Sequence, residues 1–172
     1  MALLFAPFWA DSRRGVFSRC IGFWIADRQK FVLNTTFTVP THGPACHDFT
    51  RDVARWLRNI SAGDGVLTLF VRHSSCSLLI QENADPDVQR DLLAWLDRIA
   101  PSADHPSMRY LTHRAEGSDD MPAHLKAAIL PVSLQIPVTS GRMELGTWQG
   151  IYLVEHRTSP HRREVAARFQ PG

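Results

Sequence analysis

The stretch from Gly65 to Asp91 constrains the fold more than any other part of the sequence. It contains two short runs in which apolar residues alternate with period two, the pattern of β-strands, separated by a tight turn. The apolar rows are Leu67, Leu69 and Val71 in the first run, and Leu78 and Ile80 in the second. His73 continues the first row and Glu82 continues the second. An imidazole and a carboxylate therefore stand at the ends of two core-facing strands, where a pocket can begin.

Three helices are predicted. Asp85-Pro86 is a strong helix start, because an N-cap carboxylate is followed by proline at the first helical position. The helix that follows has an apolar stripe and stops before Pro101; its stripe is Val88, Leu92, Leu96 and Ile99. Apolar spacing predicts another helix from Asp48 to Asn59. A third, short helix is predicted to open at Asp119-Asp120 and to run to about Leu130.

The remaining segments favour strands over helices. Residues 31–39 alternate cleanly, so we predict a half-buried strand that Pro40 ends, followed by a loop over residues 41–46. Further strands are predicted at residues 132–138, 146–156 and 165–169, with a turn at Ser140-Gly141. Strands outnumber helices and do not alternate regularly with them. The expected fold class is therefore α+β, with a largely antiparallel sheet, sandwich-like or barrel-like, and about three helices.

Composition is that of a soluble single-domain protein, expected over residues 31–170 of the 172. The net charge of +2 gives no reason to expect a nucleic-acid partner. The chain has no apolar run near the roughly 18 residues of a membrane span, so no membrane partner is expected. We interpret residues 1–30, rich in aromatics and interrupted by charges, as a loosely ordered or surface-docked extension, with an amphipathic anchor as the alternative.

The three cysteines predict the compartment. Cys20, Cys46 and Cys76 are odd in number and irregularly spaced, which fits neither a disulfide framework nor a metal knuckle. A reduced, cytoplasmic setting is expected. Cys76, between two serines, is interpreted as a small buried hydrophobic residue rather than a nucleophile.

Three histidines are candidate catalytic residues: His73 at a strand end, His113 in a polar run, and His124 in the first turn of a helix. Together with Glu82 they can form a site for a first-row transition metal such as zinc, with one position open. Their spacing matches no compact ligand motif, so a plain hydrogen-bonded role for each histidine stays open.

Acidic residues offer a second metal site. Asp85, Glu116 and Asp120 supply hard oxygen ligands that suit magnesium beside a substrate phosphate. The alternative is that Asp119 or Asp120 caps the helix that follows, and we expect capping by at least one of them. The cofactor prediction is therefore a divalent metal, either magnesium or zinc.

Residues around Gly146–Gly150 are candidates for substrate binding. The two glycines allow close backbone approach, Trp148 can stack on a planar ring, and Gln149 can hydrogen-bond its edge. A subunit contact is the alternative. Arg114 and Lys126 are expected to hold phosphate, although each can also be a solvated surface charge. The remaining candidate substrate-binding residues are Ser75, Asn83, Asp85 and Thr147.

Three blocks of the sequence resemble the signature blocks of the YjbQ family: ENADPDV, DDMPAHLK and LGTWQGIYL, in this order. The resemblance covers residues 31–169. It implies a compact α+β fold that assembles as a homotrimer, with the polar pocket close to subunit contacts. The family resemblance also implies an activity like that of secondary thiamine-phosphate synthases, which join a pyrimidine-methyl diphosphate to a thiazole phosphate and release diphosphate.

The resemblance places the candidate residues at family motif positions and implies a small phosphorylated substrate. The positions are His73, Glu82, Asn83, Asp85, His113, Glu116, Asp120, His124, Thr147, Trp148 and Gln149. Arg114 departs from the family, which usually has an acidic or amide residue there. We expect this reversal of charge in the pocket to alter substrate choice. Two further hypotheses remain: a metal-dependent hydrolase with a His/Glu site, and a non-catalytic trimeric metabolite-binding protein.

Overall fold

The structure, a computed structural model, describes residues 32–172 and confirms the predicted α+β class. The extension and the surface anchor considered for residues 1–30 lie outside the described residues. Eight strands are described: β1 (Leu33–Thr41), β2 (Ala45–Asp48), β3 (Gly65–Val71), β4 (Cys76–Glu82), β5 (Ser133–Thr139), β6 (Arg142–Met143), β7 (Gln149–Glu155) and β8 (His161–Pro171). Three α-helices accompany them: α1 (Thr50–Asn59), α2 (Pro86–Ile99) and α3 (Asp120–Ile129). None of the described helices combines the length and the apolar character that crossing a membrane requires.

The strands form two antiparallel sheets. The larger has the order β1-β8-β3-β5-β6, and the smaller has the order β2-β7-β4. The predicted turn at Ser140-Gly141 is confirmed, since it joins β5 to β6 through the pairs Val138–Met143 and Thr139–Arg142. The main core lies where the inner faces of both sheets meet α1. It includes Leu67 and Leu69 of β3, Leu78 of β4 and Val53 of α1, each fully buried.

The tight turn between the two central strands joins different sheets. β3 pairs with β5 and β8, whereas β4 pairs with β7. The four residues between them, 72–75, carry the chain from one sheet to the other. His73 therefore lies beyond the end of β3, at a corner rather than on a strand.

The predicted loop over residues 41–46 is wrong in part. β1 continues through Pro40 to Thr41, and a short strand, β2, begins at Ala45. Proline is tolerated because β1 is an edge strand, with one side free of ladder partners. β2 has only four half-buried or exposed residues, too few to show an alternation in the sequence.

Helix boundaries differ slightly from the predictions. Asp48 lies before α1, where its carboxylate accepts hydrogen bonds from the backbone N–H and hydroxyl of Thr50. The predicted N-cap of α2 is confirmed, because the Asp85 carboxylate accepts from the Asp87 N–H at 2.9 Å. Of the predicted apolar stripe of α2, only Leu96 is buried. Cys76 is confirmed as a buried residue, and burial raises the pKa of its thiol to about 12.

Candidate functional site: a histidine–aspartate cluster

Asp120 and His124 of α3 meet His113 in one cluster. Asp120 is the first residue of α3 and His124 follows four residues later, so both side chains project from one face of the helix. The Nε2 atoms of His113 and His124 lie 2.8 Å and 3.3 Å from the same oxygen, Asp120 Oδ2. One ligand atom from each residue lies within 4.8 Å of the others. The carboxylate is buried, whereas 45% of the His113 side chain is exposed, so the cluster opens to solvent on that side.

A backbone contact fixes the orientation of the His124 ring. Its Nδ1 lies 2.8 Å from the carbonyl oxygen of Ser74, just before β4. Because a carbonyl oxygen only accepts, Nδ1 must carry the proton. Nε2 is then directed at Asp120. This arrangement, in which the second ring nitrogen is held by a carbonyl, is typical of histidines that bind metals.

Arg157, just after β7, holds the carboxylates at the start of α3. Its guanidinium donates to Asp119 at 3.0 Å, to Asp120 Oδ1, and to the carbonyl oxygen of Glu116 at 2.9 Å. Asp120 thus offers Oδ1 to Arg157 and Oδ2 to the histidines. No local sequence pattern predicts these contacts of Arg157, because its partners lie about forty residues away in the chain.

The prediction that Asp119 or Asp120 caps α3 is wrong. Neither side chain bonds a backbone N–H of the helix. Asp119 instead accepts from Arg157 and from both the N–H and the hydroxyl of Thr158. Burial alone would raise the pKa of Asp119, but these hydrogen bonds outweigh it and lower the pKa to about 2.

His73 does not join the cluster. Its Nε2 accepts a hydrogen bond from the backbone N–H of Glu164 in β8, at 2.9 Å. Burial and the nearby Arg163 lower the pKa of His73, with Glu164 and Glu155 acting in the opposite sense. The structure therefore brings together two of the three candidate histidines, with Asp120 as the third member of the cluster.

A buried ionic network, which was not predicted from the sequence, lies beside this corner. Arg163 makes two hydrogen bonds to Glu155, at 2.7 Å and 2.6 Å, and both residues are buried. Thr41 donates to the same carboxylate, and Arg163 also reaches the Ser75 hydroxyl at 3.2 Å. Ser75, predicted to bind substrate, is thus bonded to the network. The sequence did contain a signal for this network: Glu155 and Arg163 are charged residues at positions where the alternating pattern of their strands points inward.

The other candidate residues surround the far end of β4. Trp148 is 64% exposed and lies beside Glu82 in an open cleft of about 360 Å³. Asn83 donates from its backbone to Trp148 and from its side chain to the Gln149 carbonyl oxygen. Thr147 is an exposed neighbour in the same loop.

The predicted phosphate-binding cations are engaged with protein groups. Arg114 donates to three backbone carbonyl oxygens, those of Ala103, Met108 and Leu111. Lys126 is buried and donates to Asp97. Glu116 lies exposed in the loop before α3, and it contributes its carbonyl oxygen to Arg157.

Together these features define a class of protein: a small α+β chain of two antiparallel sheets, with an open His/Asp cluster at the start of one helix. Comparison with known proteins identifies the family within this class. Residues 35–172 match the family model described as UPF0047 protein YjbQ-like, and the chain belongs to this family.

Relatives of the same family cover most of the described chain. A UPF0047 protein of Synechocystis is 45% identical over 127 residues, which is 74% of this chain and 84% of that protein. UPF0047 protein YjbQ of Escherichia coli O157:H7 is 36% identical over 136 residues, 78% of this chain and 95% of that protein.

Solved structures show the same fold. A conserved hypothetical protein of Thermus thermophilus superposes with a TM-score of 0.69 at 37% identity, covering 78% of this chain and 98% of the other. A hypothetical protein of Aeropyrum pernix gives a TM-score of 0.72 at 27% identity, covering 81% and 99% respectively.

Proposed function

We propose that this protein is a metal-dependent enzyme whose divalent cation lies between His113, Asp120 and His124. The observation that supports this is the convergence of acceptor atoms. Since His124 carries its proton on Nδ1, a neutral ring presents a lone pair from Nε2 to the anionic Asp120 Oδ2, 3.3 Å away. Two facing acceptors repel each other unless a cation, either a proton or a metal ion, lies between them.

The donor set favours a first-row transition metal over magnesium. Two imidazoles and one carboxylate suit zinc or iron, whereas magnesium prefers oxygen ligands alone. The alternative magnesium set is weaker in this chain, because the Asp85 carboxylate caps α2. Arg157 also fits the proposal, because it holds Asp120 in place through the oxygen that the histidines do not use.

The reaction class that these residues suit best is hydrolysis. A bound ion of this kind would supply Lewis acidity at the open, His113 side of the cluster. His113 is exposed enough for a substrate group to approach, and Asp120 and His124 are held by Arg157 and Ser74. Three protein ligands with open positions are the usual composition of hydrolytic zinc sites.

A thiamine-phosphate synthase-like reaction is the second candidate. The observation that favours it is the exposed indole of Trp148, which can stack on a planar ring. Against it, this reaction expels diphosphate and needs cationic groups around the departing charge. Arg114 and Lys126, which were expected to supply them, already donate to protein acceptors.

Metal binding tests the proposal directly. We expect the purified protein to bind zinc at one site per chain, and His124→Ala to weaken binding at least 100-fold, since loss of outer-shell groups alone costs 10- to 100-fold. His105→Ala is the matched control, because His105 is exposed and its ring contacts only the hydroxyl and N–H of its neighbour Ser107. Equal zinc affinity in the wild type and His124→Ala, measured by competition with a chelator, would contradict the proposal.

Product analysis separates the two reactions. Zinc-loaded protein is incubated with phosphate and carboxylate esters, and separately with the pyrimidine-methyl diphosphate and thiazole phosphate pair. Ester cleavage abolished by His124→Ala supports the hydrolase. Diphosphate release that needs both thiamine precursors supports the second candidate instead. Zinc binding without turnover of either set would favour a metabolite-binding protein.

A further inference from the structure

A separate cavity lies on the side of α3 that faces away from the histidine–aspartate cluster. Its volume is about 330 Å³, and Pro122 and Lys126 of α3 are among the residues that line it. They stand two positions further along the helix than Asp120 and His124, which turns them by about 200° around its axis. The lining contains no member of the cluster, so this cavity is a different site.

The walls of this cavity are apolar and stiff. Three prolines line it: Pro44 before β2, Pro101 after α2 and Pro122 in the first turn of α3. Proline has a fixed φ angle, and its side chain has no hydrogen-bonding group. Pockets that bind small molecules usually measure about 300–1,000 Å³, so this cavity suits a small ligand with a short apolar part.

His156 presents an N–H donor to the cavity. The residue lines the cavity, is 3% exposed, and has its Nε2 atom 2.9 Å from the hydroxyl oxygen of Ser77. This hydroxyl is fully buried and has no other hydrogen bond among residues 32–172, so it must donate to Nε2. Burial and the charge of Lys126 lower the pKa of His156 to about 4, so the ring is neutral and its proton is on Nδ1. Among the described side chains, the only fully sealed polar atom without a partner is Nε2 of His47, so the unpaired Nδ1–H of His156 is open to the cavity.

A buried cation and an exposed anion meet at the same cavity. The Lys126 side chain is 8% exposed, and its ammonium group donates to the Asp97 carboxylate, which is 66% exposed. Asp97 neutralises the charge of Lys126, but an ammonium has three donor hydrogens and this contact uses one. Only Oδ1 of Asp97 is engaged, which leaves Oδ2 as an acceptor. Asp119 also lines the cavity, but its charge is already compensated by Arg157.

These groups select a ligand that carries both charges. A ligand with only a negative charge is attracted by Lys126 and repelled by Asp97, and a purely cationic ligand meets the reverse. A zwitterion avoids both conflicts, because its carboxylate can accept from Lys126 and from His156 Nδ1–H while its ammonium donates to Asp97. We propose that this cavity binds a small apolar α-amino acid through Lys126, His156 and Asp97, with the prolines around its side chain. The site goes beyond the proposed function and does not need the metal.

Titration of the metal-free protein with amino acids tests the charge requirement. A chelator removes metal first, so that no amino acid coordinates an ion at the cluster. We expect saturable calorimetric binding, at one site per chain, within the set L-alanine, L-valine and L-proline. The tightest binder is compared with the molecules that lack its amino group or its carboxyl group, which for L-valine are isovalerate and isobutylamine. Each should bind at least about 10-fold more weakly, because each loses a hydrogen bond between charged groups.

Nuclear magnetic resonance locates the ligand in the wild type. Binding should shift the nitrogen resonance of His156 Nδ1, because this N–H gains an acceptor. The ring of His105, which is exposed and contacts only Ser107, is the internal control and should keep its resonances.

Asp97→Asn gives effects of opposite sign for two ligands. Asp97 is exposed, so the variant should fold. Binding of L-valine should weaken at least about 10-fold, because its ammonium loses a charged acceptor. Isovalerate should bind more tightly than to the wild type, because the repelling carboxylate is gone. Asp91→Asn is the matched control: Asp91 is exposed on the same helix and has no ion pair within residues 32–172.

The opposite results would overturn the inference. If none of the three amino acids binds, or if Asp97→Asn binds them as the wild type does, the cavity is not an amino-acid site. Isovalerate or isobutylamine bound as tightly as L-valine would indicate a site for a single charge. His124→Ala separates this inference from the proposed function: it should lose zinc and keep the amino acid. Loss of amino-acid binding in metal-free His124→Ala would place the ligand at the cluster instead.

Discussion

Replacing Arg163 by methionine should destabilise the protein more than any other single change at its polar core. The guanidinium makes paired hydrogen bonds of 2.7 Å and 2.6 Å with Glu155, and the two residues are 3% and 0% exposed. Thr41 and two backbone N–H groups complete the shell of the carboxylate. Methionine fills a similar volume but leaves the carboxylate buried without its counter-ion.

Breaking one side of a buried ion pair costs about 3–5 kcal/mol. This is a large part of the roughly 5–15 kcal/mol by which domains are usually stable. With a urea dependence of about 2 kcal/mol per molar, the unfolding midpoint should fall by about 2 M. Arg162→Met is the matched control: Arg162 is exposed on the same strand, so its loss should cost no more than about 0.5 kcal/mol.

The assay is urea unfolding followed by tryptophan fluorescence and circular dichroism at one fixed protein concentration, because association would shift the midpoint. A loss below about 1 kcal/mol for Arg163→Met would refute the reasoning, since it would mean that the Glu155 charge is not truly buried. Replacing both residues, Glu155→Met with Arg163→Met, should recover much of the loss, because no charge is then left alone.

The effect should also depend on pH. Burial acts to raise the pKa of Glu155, but the hydrogen bonds from Arg163, the Arg157 N–H and Thr41 outweigh it, so the pKa lies below its ordinary value of 4.5. A lowered carboxyl pKa stabilises the fold above 4.5, and this contribution is lost as the pH falls through the folded-state value. In Arg163→Met, burial without the counter-ion raises the pKa of Glu155 instead, so the variant is relieved when this carboxyl is protonated. The difference in stability between the wild type and Arg163→Met should therefore be largest at neutral pH and above, and should already shrink above pH 4.5 as the pH falls.

Three further predictions concern other parts of the chain. Burial, reinforced by the charge of Lys126, lowers the pKa of His156 from 6.5 to about 4. The folded state therefore holds this ring neutral, which contributes fully to stability above pH 6.5. That contribution to stability is lost as the pH falls from 6.5 to 4. At about 1.4 kcal/mol per pH unit, the wild type should lose on the order of 2–3 kcal/mol more than His156→Gln over this interval in urea titrations, and parallel losses would contradict it. Asp85→Ala should cost about 1 kcal/mol in thermal unfolding through loss of the N-cap of α2, and an unchanged melting temperature would exclude that role. Gly141→Ala should cost at least about 1–2 kcal/mol of stability, because φ is +75° and a Cβ would lie 2.6 Å from the Ala62 carbonyl oxygen. Gly63→Ala is the control, because a Cβ at Gly63 would meet open space. Equal urea midpoints for the two variants would contradict this account.

The sequence determined those features that depend on neighbouring residues. Alternation predicted the core faces of β3 and β4, and Asp85-Pro86 predicted the start of α2. The spacing of four between Asp120 and His124 placed both on one face of α3, since that geometry depends only on the helix repeat. The family blocks were recognisable because their residues are contiguous, and the family model confirms them.

Only the tertiary structure decided which distant residues meet. β3 and β4 enter different sheets, which turns His73 toward Glu164 of β8 and away from His113 and His124. The pairing of β7 with β4 brings Trp148 beside Glu82, at the end of β4 remote from the cluster. Strand partners far apart in the chain are chosen by packing and hydrogen bonding over the whole sheet, and a local pattern of residues contains no information about that choice.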